Sequence, residues 1–285
     1  MPTFLFWNTG RRPLVKLVAD AARLFRVDIL ILAECSISGA DLLTALNRTS
    51  ADYQLTFSAS DSIRVLTRLH AEFLSPAAES DRYSIRRLRL PGQQELLLAI
   101  AHLPSGRFFS SESRSLVCIE LARLVVEEEQ KAGHDRTIVV GDLNLNPFDL
   151  GVVAANGLHG VMTRKLAARG SRIVQRKKFP IFYNPMWRFF GENAGGPSGT
   201  YYYERAEHVV YFWNIFDQIL VRPTLIDCFE DDDLQIIDAV GQVKLTRADG
   251  RPNSNVGSDH LPILFEMDIP LEDANAERTA GTVAR

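Results

Sequence analysis

Cysteine is scarce in this chain. Only three occur in 285 residues, Cys35, Cys118 and Cys228, and they are widely spaced and odd in number. No CxxC pair or Cys/His pattern accompanies them, so the sequence predicts neither a zinc site nor a disulfide framework. The pattern is typical of free thiols in the interior of a protein from a reducing compartment.

Long apolar runs are also lacking. No run approaches the ~18 residues that a membrane-spanning helix needs, so we expect no stable membrane association. The stretch from Met1 to Asn8 has no basic start, and its apolar run is too short for a signal peptide. These absences favour a cytoplasmic protein.

An excess of either charge is absent as well. Lysine and arginine number 32 against 35 aspartates and glutamates, which gives a net charge of −3. This balance argues against a protein that coats nucleic acid through bulk positive charge, but it leaves room for a local basic groove.

What is present is a globular composition, with 46% apolar and 24% charged residues and no repeat or low-complexity block. We expect one α/β domain over residues 1–270 and a mobile polar tail over residues 271–285. Strands are predicted at Thr3–Asn8, Asp28–Ala33, Glu95–His102, Thr137–Gly141, Phe216–Val221 and Leu261–Met267, with three or four more in residues 53–90. Helices are predicted at Pro13–Arg26, Asp41–Asn47, Ser113–Lys131 and Pro147–Asn156, and residues 157–212 are predicted to be irregular.

Polar residues follow the apolar strands at the points where those strands end or begin. They are Asn8, Glu34, His102, Asp142 with Asn144, Asp217, and Asp259 with His260. A strand end is rigid and opens on to a loop, where a fold can hold polar groups at a solvent cleft. If these ends meet at one edge, they form a site rich in oxygen ligands with two imidazoles.

The residue types divide between two kinds of chemistry. Hard oxygen donors are offered by Glu34, Asp142, Asp259 and the amides of Asn8 and Asn144. Such oxygens suit Mg²⁺ or Mn²⁺ rather than zinc. The two histidines suit acid–base work, because an aspartate such as Asp217 that accepts from one ring nitrogen makes the other a better base.

Six short motifs occur in order along the chain. They are WN (Trp7-Asn8), LAE (Leu32-Ala33-Glu34), AHLPSG (Ala101 to Gly106), GDLN (Gly141 to Asn144), FDQIL (Phe216 to Leu220) and SDHLP (Ser258 to Pro262). Together they resemble the endonuclease/exonuclease/phosphatase superfamily, over residues 4 to about 268. The resemblance implies a four-layer α-β-β-α sandwich with two mixed β-sheets. It also implies hydrolysis of a phosphate ester with a divalent metal, Mg²⁺ or Mn²⁺.

The resemblance implies a role for each matching position. Glu34 resembles the main metal ligand of the family, helped by Asn8 and by Asp259. His102 lies where the deoxyribonuclease and sphingomyelinase branches have histidine.

The remaining motif positions resemble the catalytic groups. Asp142 matches the residue that orients or deprotonates the attacking water, and Asn144 matches a phosphate or transition-state contact. His260 matches the second catalytic imidazole, held by Asp217. Which histidine acts as the base stays open.

Two motifs depart from the family pattern. Asn214-Ile215-Phe216 precede Asp217 where the family often has an arginine, and Gln218 follows it where a tyrosine is common. Thr9-Gly10 follow Asn8, unlike the pattern of abasic-site endonucleases. These departures argue against DNA repair and leave the phosphoesterase chemistry in place.

A basic run and an aromatic segment lie outside the motifs. Arg172, Arg176, Lys177 and Lys178 in the run from Arg164 to Lys178, and Arg11 after Asn8, are candidate contacts to substrate phosphates. A solvated face explains such a run as well. The aromatic residues from Phe179 to Tyr203 either stack on bases or pack a long loop onto the core.

Three functions compete. The leading hypothesis is a Mg²⁺-dependent nuclease that cleaves phosphodiester bonds of nucleic acid, with DNA favoured, by in-line attack of an activated water. The alternative is a phosphatase or phosphodiesterase acting on a small molecule or a lipid headgroup, of the inositol phosphate or sphingomyelin type. The third is a catalytically silent binding module. Such a module would have lost at least one of the expected active-site residues, and none of them is missing from the six motifs. A protein partner is compatible with all three.

Overall fold

The computed structural model describes residues 1–49, 52–191, 196–206 and 208–272. The strands in chain order are β1 (Thr3–Asn8), β2 (Ile29–Ala33), β3 (Gln54–Leu55), β4 (Ile63–Thr67), β5 (Leu74–Glu79), β6 (Tyr83–Leu88), β7 (Leu96–His102), β8 (Thr137–Asp142), β9 (Gly160–Val161), β10 (Ser171–Val174), β11 (Lys177–Pro180), β12 (Phe182–Tyr183), β13 (Tyr201–Tyr203), β14 (Phe212–Asn214), β15 (Asp217–Val221), β16 (Gln235–Ile236), β17 (Ala239–Val240), β18 (Val243–Lys244) and β19 (Ile263–Glu266). The α-helices are α1 (Val15–Leu24), α2 (Gly39–Leu46), α3 (Ser111–Ala132), α4 (Leu150–Val153) and α5 (Arg164–Ala167). Short 3-10 turns occupy Asn47–Thr49, Ala71–Phe73, Pro185–Phe189, Pro223–Cys228 and Asp231–Asp233.

Two large sheets form the centre of the molecule. The first has the order β16-β19-β1-β2-β4-β3, and the second has the order β5-β6-β7-β8-β15-β12-β9. Both are mixed, because β1 is parallel to β2 and β7 is parallel to β8 while most other neighbours are antiparallel. Strand β1 lies against β8 and β15, so the sheets pack face to face, with α1 and α2 beside the first and α3 and α4 beside the second. The predicted sandwich of two mixed sheets flanked by helices is confirmed.

The central strands form where the sequence is apolar on both faces. Every residue of β2 (ILILA) and of β8 (TIVVGD) is buried, as expected for strands covered on each side. Helix α3 begins after Ser110, whose hydroxyl accepts a hydrogen bond from the Ser113 amide, and it ends at Gly133 in the left-handed conformation. The helix predicted at Ser113–Lys131 is therefore present, one to two residues longer at each end.

Two predictions about local structure were wrong. The helix predicted at Pro147–Asn156 is a single turn, α4, with Asp149 at its N-cap position. The described parts of residues 157–212, predicted to be irregular, contain the short strands β9 to β13, the start of β14, the helical turn α5 and a 3-10 turn. Strands β10 and β11 form a hairpin. Its two-residue turn, Gln175-Arg176, has positive φ at both positions without the glycine or asparagine that usually signals such a turn.

The first two residues of the predicted tail, Leu271 and Glu272, belong to the described part of the chain. Leu271 forms a β-bridge with Gln93, and the Glu272 amide donates to the Gly92 carbonyl at 3.0 Å. Residues 273–285 lie outside the described residues. Among the described parts of the chain, no helix combines the length and the apolar character needed to cross a membrane.

Candidate active site

One edge of the sandwich collects the ends of strands from both sheets. In the second sheet, Asp142 pairs with His102 of β7 on one side and with Asp217 of β15 on the other. In the first sheet, Asn8 ends β1 and pairs with Ala33, which places Glu34 just beyond the end of β2. Because β1 lies against β8 and β15, these ends face one another across the sandwich. His260 comes from the loop before β19, and its carbonyl accepts a hydrogen bond from Trp7 Nε1 at 3.0 Å.

His260 lies between two buried carboxylates. Its Nδ1 donates to Asp217 Oδ2 at 2.8 Å, and its Nε2 lies 4.0 Å from Asp142 Oδ2. Burial alone would lower the pKa of His260, but the charges of Asp217 and Asp142 and the hydrogen bond outweigh it and raise that pKa to about 10. Burial raises the pKa of Asp142 above its usual range. The imidazole is therefore held charged and in one orientation.

A second carboxylate–imidazole pair lies closer to solvent. Glu34 Oε1 lies 3.3 Å from His102 Nε2, and 28% of the Glu34 side chain is exposed. The hydrogen bond from His102 lowers the pKa of Glu34 to about 2, although burial opposes the shift. Burial opposes a rise in the pKa of His102, but the hydrogen bond to Glu34 and the charge of Asp142 raise it. Glu34, the residue directly after β2, has a φ of 45°, a left-handed conformation that a glutamate rarely adopts.

Two asparagines hold the Asp142 carboxylate. Asn8 Nδ2 donates to Asp142 Oδ2 at 2.8 Å, and the Asn144 amide donates to Asp142 Oδ1 at 2.8 Å. Asn8 Oδ1 accepts from the Gly10 amide at 2.9 Å, and the Asn144 side chain donates to the Leu103 carbonyl at 2.9 Å. Both asparagines therefore fix the geometry of Asp142 as well as their own.

Asp259 and Arg11 complete the edge beside Glu34. A Cβ atom at Gly10, whose φ is +57°, would meet Asp259 Oδ1 at 2.9 Å, so the carboxylate lies directly against this turn. The Asp259 side chain is exposed. Arg11 is exposed too, and its Nε lies 3.6 Å from Glu34 Oε2. The structure thus brings together eight motif residues and Arg11.

The structure does not bring the predicted basic residues to this edge. Arg172, Arg176, Lys177 and Lys178 belong to the β10–β11 hairpin. The chain enters β12 directly after this hairpin, where Tyr183 pairs with Val221, the far end of β15 from Asp217. Lys177 lines a cavity of about 590 Å³ with residues of α3 and Arg222. A contact of these four residues with substrate stays a prediction.

Sequence reasoning missed two neighbours of the Asp217–His260 pair. Thr200 Oγ1 accepts from the Asp217 amide at 3.2 Å. The Tyr201 ring lies 4.7 Å from the His260 ring and stacks on Phe216, and burial raises the Tyr201 pKa to about 12. The only sequence signal was the position of Tyr201 at the end of the aromatic segment, which did not distinguish it from Tyr202 and Tyr203.

Two groups of side chains are candidates for binding a metal ion. Ligand atoms of Asp142, Asp217 and His260 lie within 4.8 Å of one another. However, the Asp217–His260 hydrogen bond already occupies one atom of each, and all three side chains are buried. Glu34 and Asp259 offer accessible carboxylates with the Asn8 oxygen nearby, which is the donor set that a hard divalent ion prefers.

No protein-family model matches the chain, and no curated protein matches it. Solved structures do match. An endonuclease/exonuclease/phosphatase family protein from Leptotrichia buccalis is 15% identical, over 94% of this chain and 99% of that chain, with a TM-score of 0.56. The structure of D. rerio TDP2 complexed with a single strand DNA product is 19% identical, over 93% and 98%, with a TM-score of 0.53. An AP endonuclease from Archaeoglobus fulgidus is 14% identical, over 94% and 100%, with a TM-score of 0.55.

At these identities the likeness concerns the fold. The alignments cover nearly the whole of this chain and nearly the whole of each compared chain. The chain therefore has the fold of the endonuclease/exonuclease/phosphatase superfamily, as its six motifs predicted.

Proposed function

We propose that this protein is a metal-dependent hydrolase of phosphate esters, and specifically a nuclease that cleaves phosphodiester bonds, with DNA as the favoured substrate. The observation that carries the proposal is His260, hydrogen-bonded to Asp217 at 2.8 Å and 4.0 Å from Asp142, at the same sheet edge as the accessible Glu34–His102 pair. Structural neighbours named as an AP endonuclease and as a protein in complex with a DNA product support nucleic acid as the substrate class.

Glu34, Asn8 and Asp259 would hold the ion, Mg²⁺ or Mn²⁺. Glu34 fits this role because its pKa of about 2 keeps it ionised at neutral pH and its side chain reaches solvent. A bound divalent ion would supply positive charge against the charge that develops on the phosphoryl oxygens.

The protein's own groups orient and exchange protons. Asp142, held by Asn8 and Asn144, orients the attacking water and receives its proton as the oxygen–phosphorus bond forms. A pKa raised by burial makes Asp142 a stronger base than an exposed aspartate. The bond between phosphorus and the leaving oxygen breaks in the same in-line displacement.

The two imidazoles stabilise the negative charge of the phosphoryl group. His260 stays protonated at neutral pH because Asp217 and Asp142 raise its pKa to about 10, so its Nε2–H can donate to a phosphoryl oxygen. The raised pKa of His102 gives it the same capacity on the Glu34 side. Asp217, fully buried, acts through His260 as its positioning residue.

Incubation of labelled single- and double-stranded DNA with the protein and Mg²⁺ or Mn²⁺ tests the proposal. We expect cleavage by the wild type, a loss of about 10²–10⁴-fold in His260→Ala, and no loss in His70→Ala. His70 is an exposed histidine paired with Glu72 and serves as the matched control. A wild type that leaves nucleic acid intact, or equal cleavage by His260→Ala, contradicts the proposal. Hydrolysis of inositol phosphates or sphingomyelin in its place would favour the alternative substrate class.

A further inference from the structure

Large apolar side chains are exposed on a loop that directly follows the strand carrying His102. Phe108 is 77% exposed and Phe109 is 39% exposed, in the segment between β7 and α3. Phe57, on the loop between β3 and β4, is exposed as well. Two exposed phenylalanines side by side leave a patch of apolar surface that a folded chain normally buries, which marks a contact surface.

Hydrogen bonds tie two loops near these phenylalanines to the candidate active site. The His102 amide donates to the Arg82 carbonyl at 2.9 Å, and the Glu34 amide donates to the Ser62 carbonyl at 2.9 Å. Ser62 Oγ in turn donates to the Asp81 carbonyl at 3.1 Å. The loops around residues 57–62 and 80–82 therefore lie beside the Glu34–His102 pair, and the loop over residues 104–109 continues directly from His102.

Each exposed ring on the loop after His102 has an arginine against it. The Arg82 guanidinium carbon lies 5.5 Å from the centre of the Phe109 ring, and that of Arg107 lies 5.6 Å from the centre of the Phe108 ring. Arg82 also pairs with Asp81 at 3.8 Å. For Arg107, no carboxylate of the described residues lies within ion-pair distance. An arginine beside an exposed ring is the combination by which proteins hold unpaired nucleotides, with the ring under the base and the cation at the phosphate.

We propose that these four residues, Arg82, Arg107, Phe108 and Phe109, which we name the arginine–phenylalanine rim, bind single-stranded nucleic acid at the mouth of the candidate active site. This proposal rests on the nuclease function proposed above and names the form of its substrate. Single strands are favoured over duplex because a phenyl ring can stack only on a base whose face is free. The positive charge of the rim complements the phosphate backbone of a nucleic acid. A purely apolar contact would not need these arginines.

The rim and the basic run from Arg164 to Lys178 lie at different places in the fold. Arg172, Arg176, Lys177 and Lys178 lie beyond the Val221 end of the second sheet, whereas the Arg82 carbonyl of the rim accepts a hydrogen bond from the His102 amide. A strand bound at the rim is therefore next to the groups that would cleave it.

Binding is measured by fluorescence anisotropy with a labelled oligothymidylate and with a labelled duplex. The His260→Ala protein is used as the parent, so that the oligonucleotide stays intact. We expect Phe108→Ala and Phe109→Ala to weaken oligothymidylate binding by roughly 5- to 100-fold each, the range for losing a stacked base. Phe108→Trp, which keeps a flat ring, should restore binding, and Phe108→Leu, which keeps apolar area alone, should not. Ile173→Ala removes an apolar side chain of similar exposure, 74%, from the β10–β11 hairpin and should bind like its parent.

The outcomes discriminate between occupants. Unchanged oligothymidylate binding in Phe108→Ala and Phe109→Ala overturns the proposal. So does sedimentation of the protein with phosphatidylcholine–phosphatidylserine vesicles that is lost in Phe108→Ala and kept in Phe108→Leu, because that pattern identifies a lipid surface.

Parallel cleavage assays separate this proposal from the nuclease function. If the wild type cleaves DNA and the Phe108→Ala protein binds and cleaves it equally well, the rim proposal is wrong and the nuclease proposal stands. If the wild type binds the oligonucleotide through the phenylalanine rings but never cleaves it, the nuclease proposal is wrong and the rim stands as a binding site.

Discussion

The ring of His260 is clamped by Asp217: Nδ1 and Oδ2 lie 2.8 Å apart, and neither side chain has more than a small exposed fraction. Asp217 begins β15 opposite Asp142 of β8, so the sheet itself sets the spacing between the two carboxylates. Because the imidazole is fixed on the side of Asp217, its other nitrogen is directed toward the Asp142 side, at 4.0 Å. The sheet register therefore determines where His260 Nε2 lies relative to Asp142.

Replacing Asp217 with asparagine should test this clamp. Asp217→Asn keeps the shape but removes the charge that holds His260 protonated, and we expect a loss of DNA cleavage of about 10²–10⁴-fold with little change in substrate KM. Steady-state kinetics give the split between kcat and KM. An unchanged kcat, or a rise in KM as large as the fall in kcat, would contradict the assignment of Asp217 as a positioning residue.

Adding one methyl group at Gly10 should displace Asp259. Gly10→Ala places a Cβ 2.9 Å from Asp259 Oδ1 at a φ of +57°, whereas Gly241→Ala meets a similar φ of +60° with nothing within 4 Å. Both variants place an alanine in the left-handed region, at a backbone cost of about 1–2 kcal/mol. Only Gly10→Ala should shift the Mg²⁺ concentration needed for half-maximal activity upward. Matching shifts in the two variants would show that Asp259 contributes nothing to ion binding.

The side-chain amide of Gln218 should contribute strongly to the free energy of unfolding, because it forms several buried hydrogen bonds. Its Nε2 donates to the carbonyls of Leu145 and Ile215, at 2.5 and 3.0 Å, and its oxygen accepts from Asn184 Nδ2 at 2.8 Å. Gln218→Leu leaves these buried groups unpaired, and we expect the free energy of unfolding to fall by about 2–4 kcal/mol in urea denaturation. Gln235→Leu, at an exposed glutamine, should change it by less than about 0.5 kcal/mol. Comparable losses would refute the role of this bonding.

Much of the site was predictable because its residues follow apolar strands that sequence patterns detect. Asp142 and His102 are the last residues of β8 and β7, and both strands are buried apolar runs that a sequence pattern detects. Because side chains alternate between the two faces of a strand, a shift of one residue in the register would place each side chain on the opposite face. The contacts of Tyr201 with His260 were not predictable, since they depend on a three-residue strand with no periodicity. Phe108 and Phe109 were missed for another reason. A Phe-Phe pair in a sequence resembles a core segment, and only the fold shows that this one is exposed.

Alkaline pH should destabilise the protein through Tyr53. Its hydroxyl donates to the Val27 carbonyl, and burial raises its pKa from 10.0 to about 12. The unfolded chain releases this proton at lower pH than the folded one, so the contribution to stability is full below pH 10.0 and is lost as the pH rises toward about 12. Urea denaturation from pH 9 to 12 should show a shallower decline for Tyr53→Phe than for the wild type. Parallel declines would contradict the assignment.

Divalent ions should stabilise the folded protein through Glu34. An ion that binds the native state alone raises the melting temperature in proportion to the logarithm of its concentration, and Glu34 is ionised at neutral pH because its pKa is about 2. We expect Mg²⁺ or Mn²⁺ to raise the Tm of the wild type, EDTA to reverse the rise, and Glu34→Gln to abolish it. Glu72→Gln, at an exposed glutamate paired with His70, should keep the full shift. If instead Asp142, Asp217 and His260 held the ion, Glu34→Gln would keep the shift and Asp217→Asn would lose it. The two variants together therefore decide which group of side chains binds the metal.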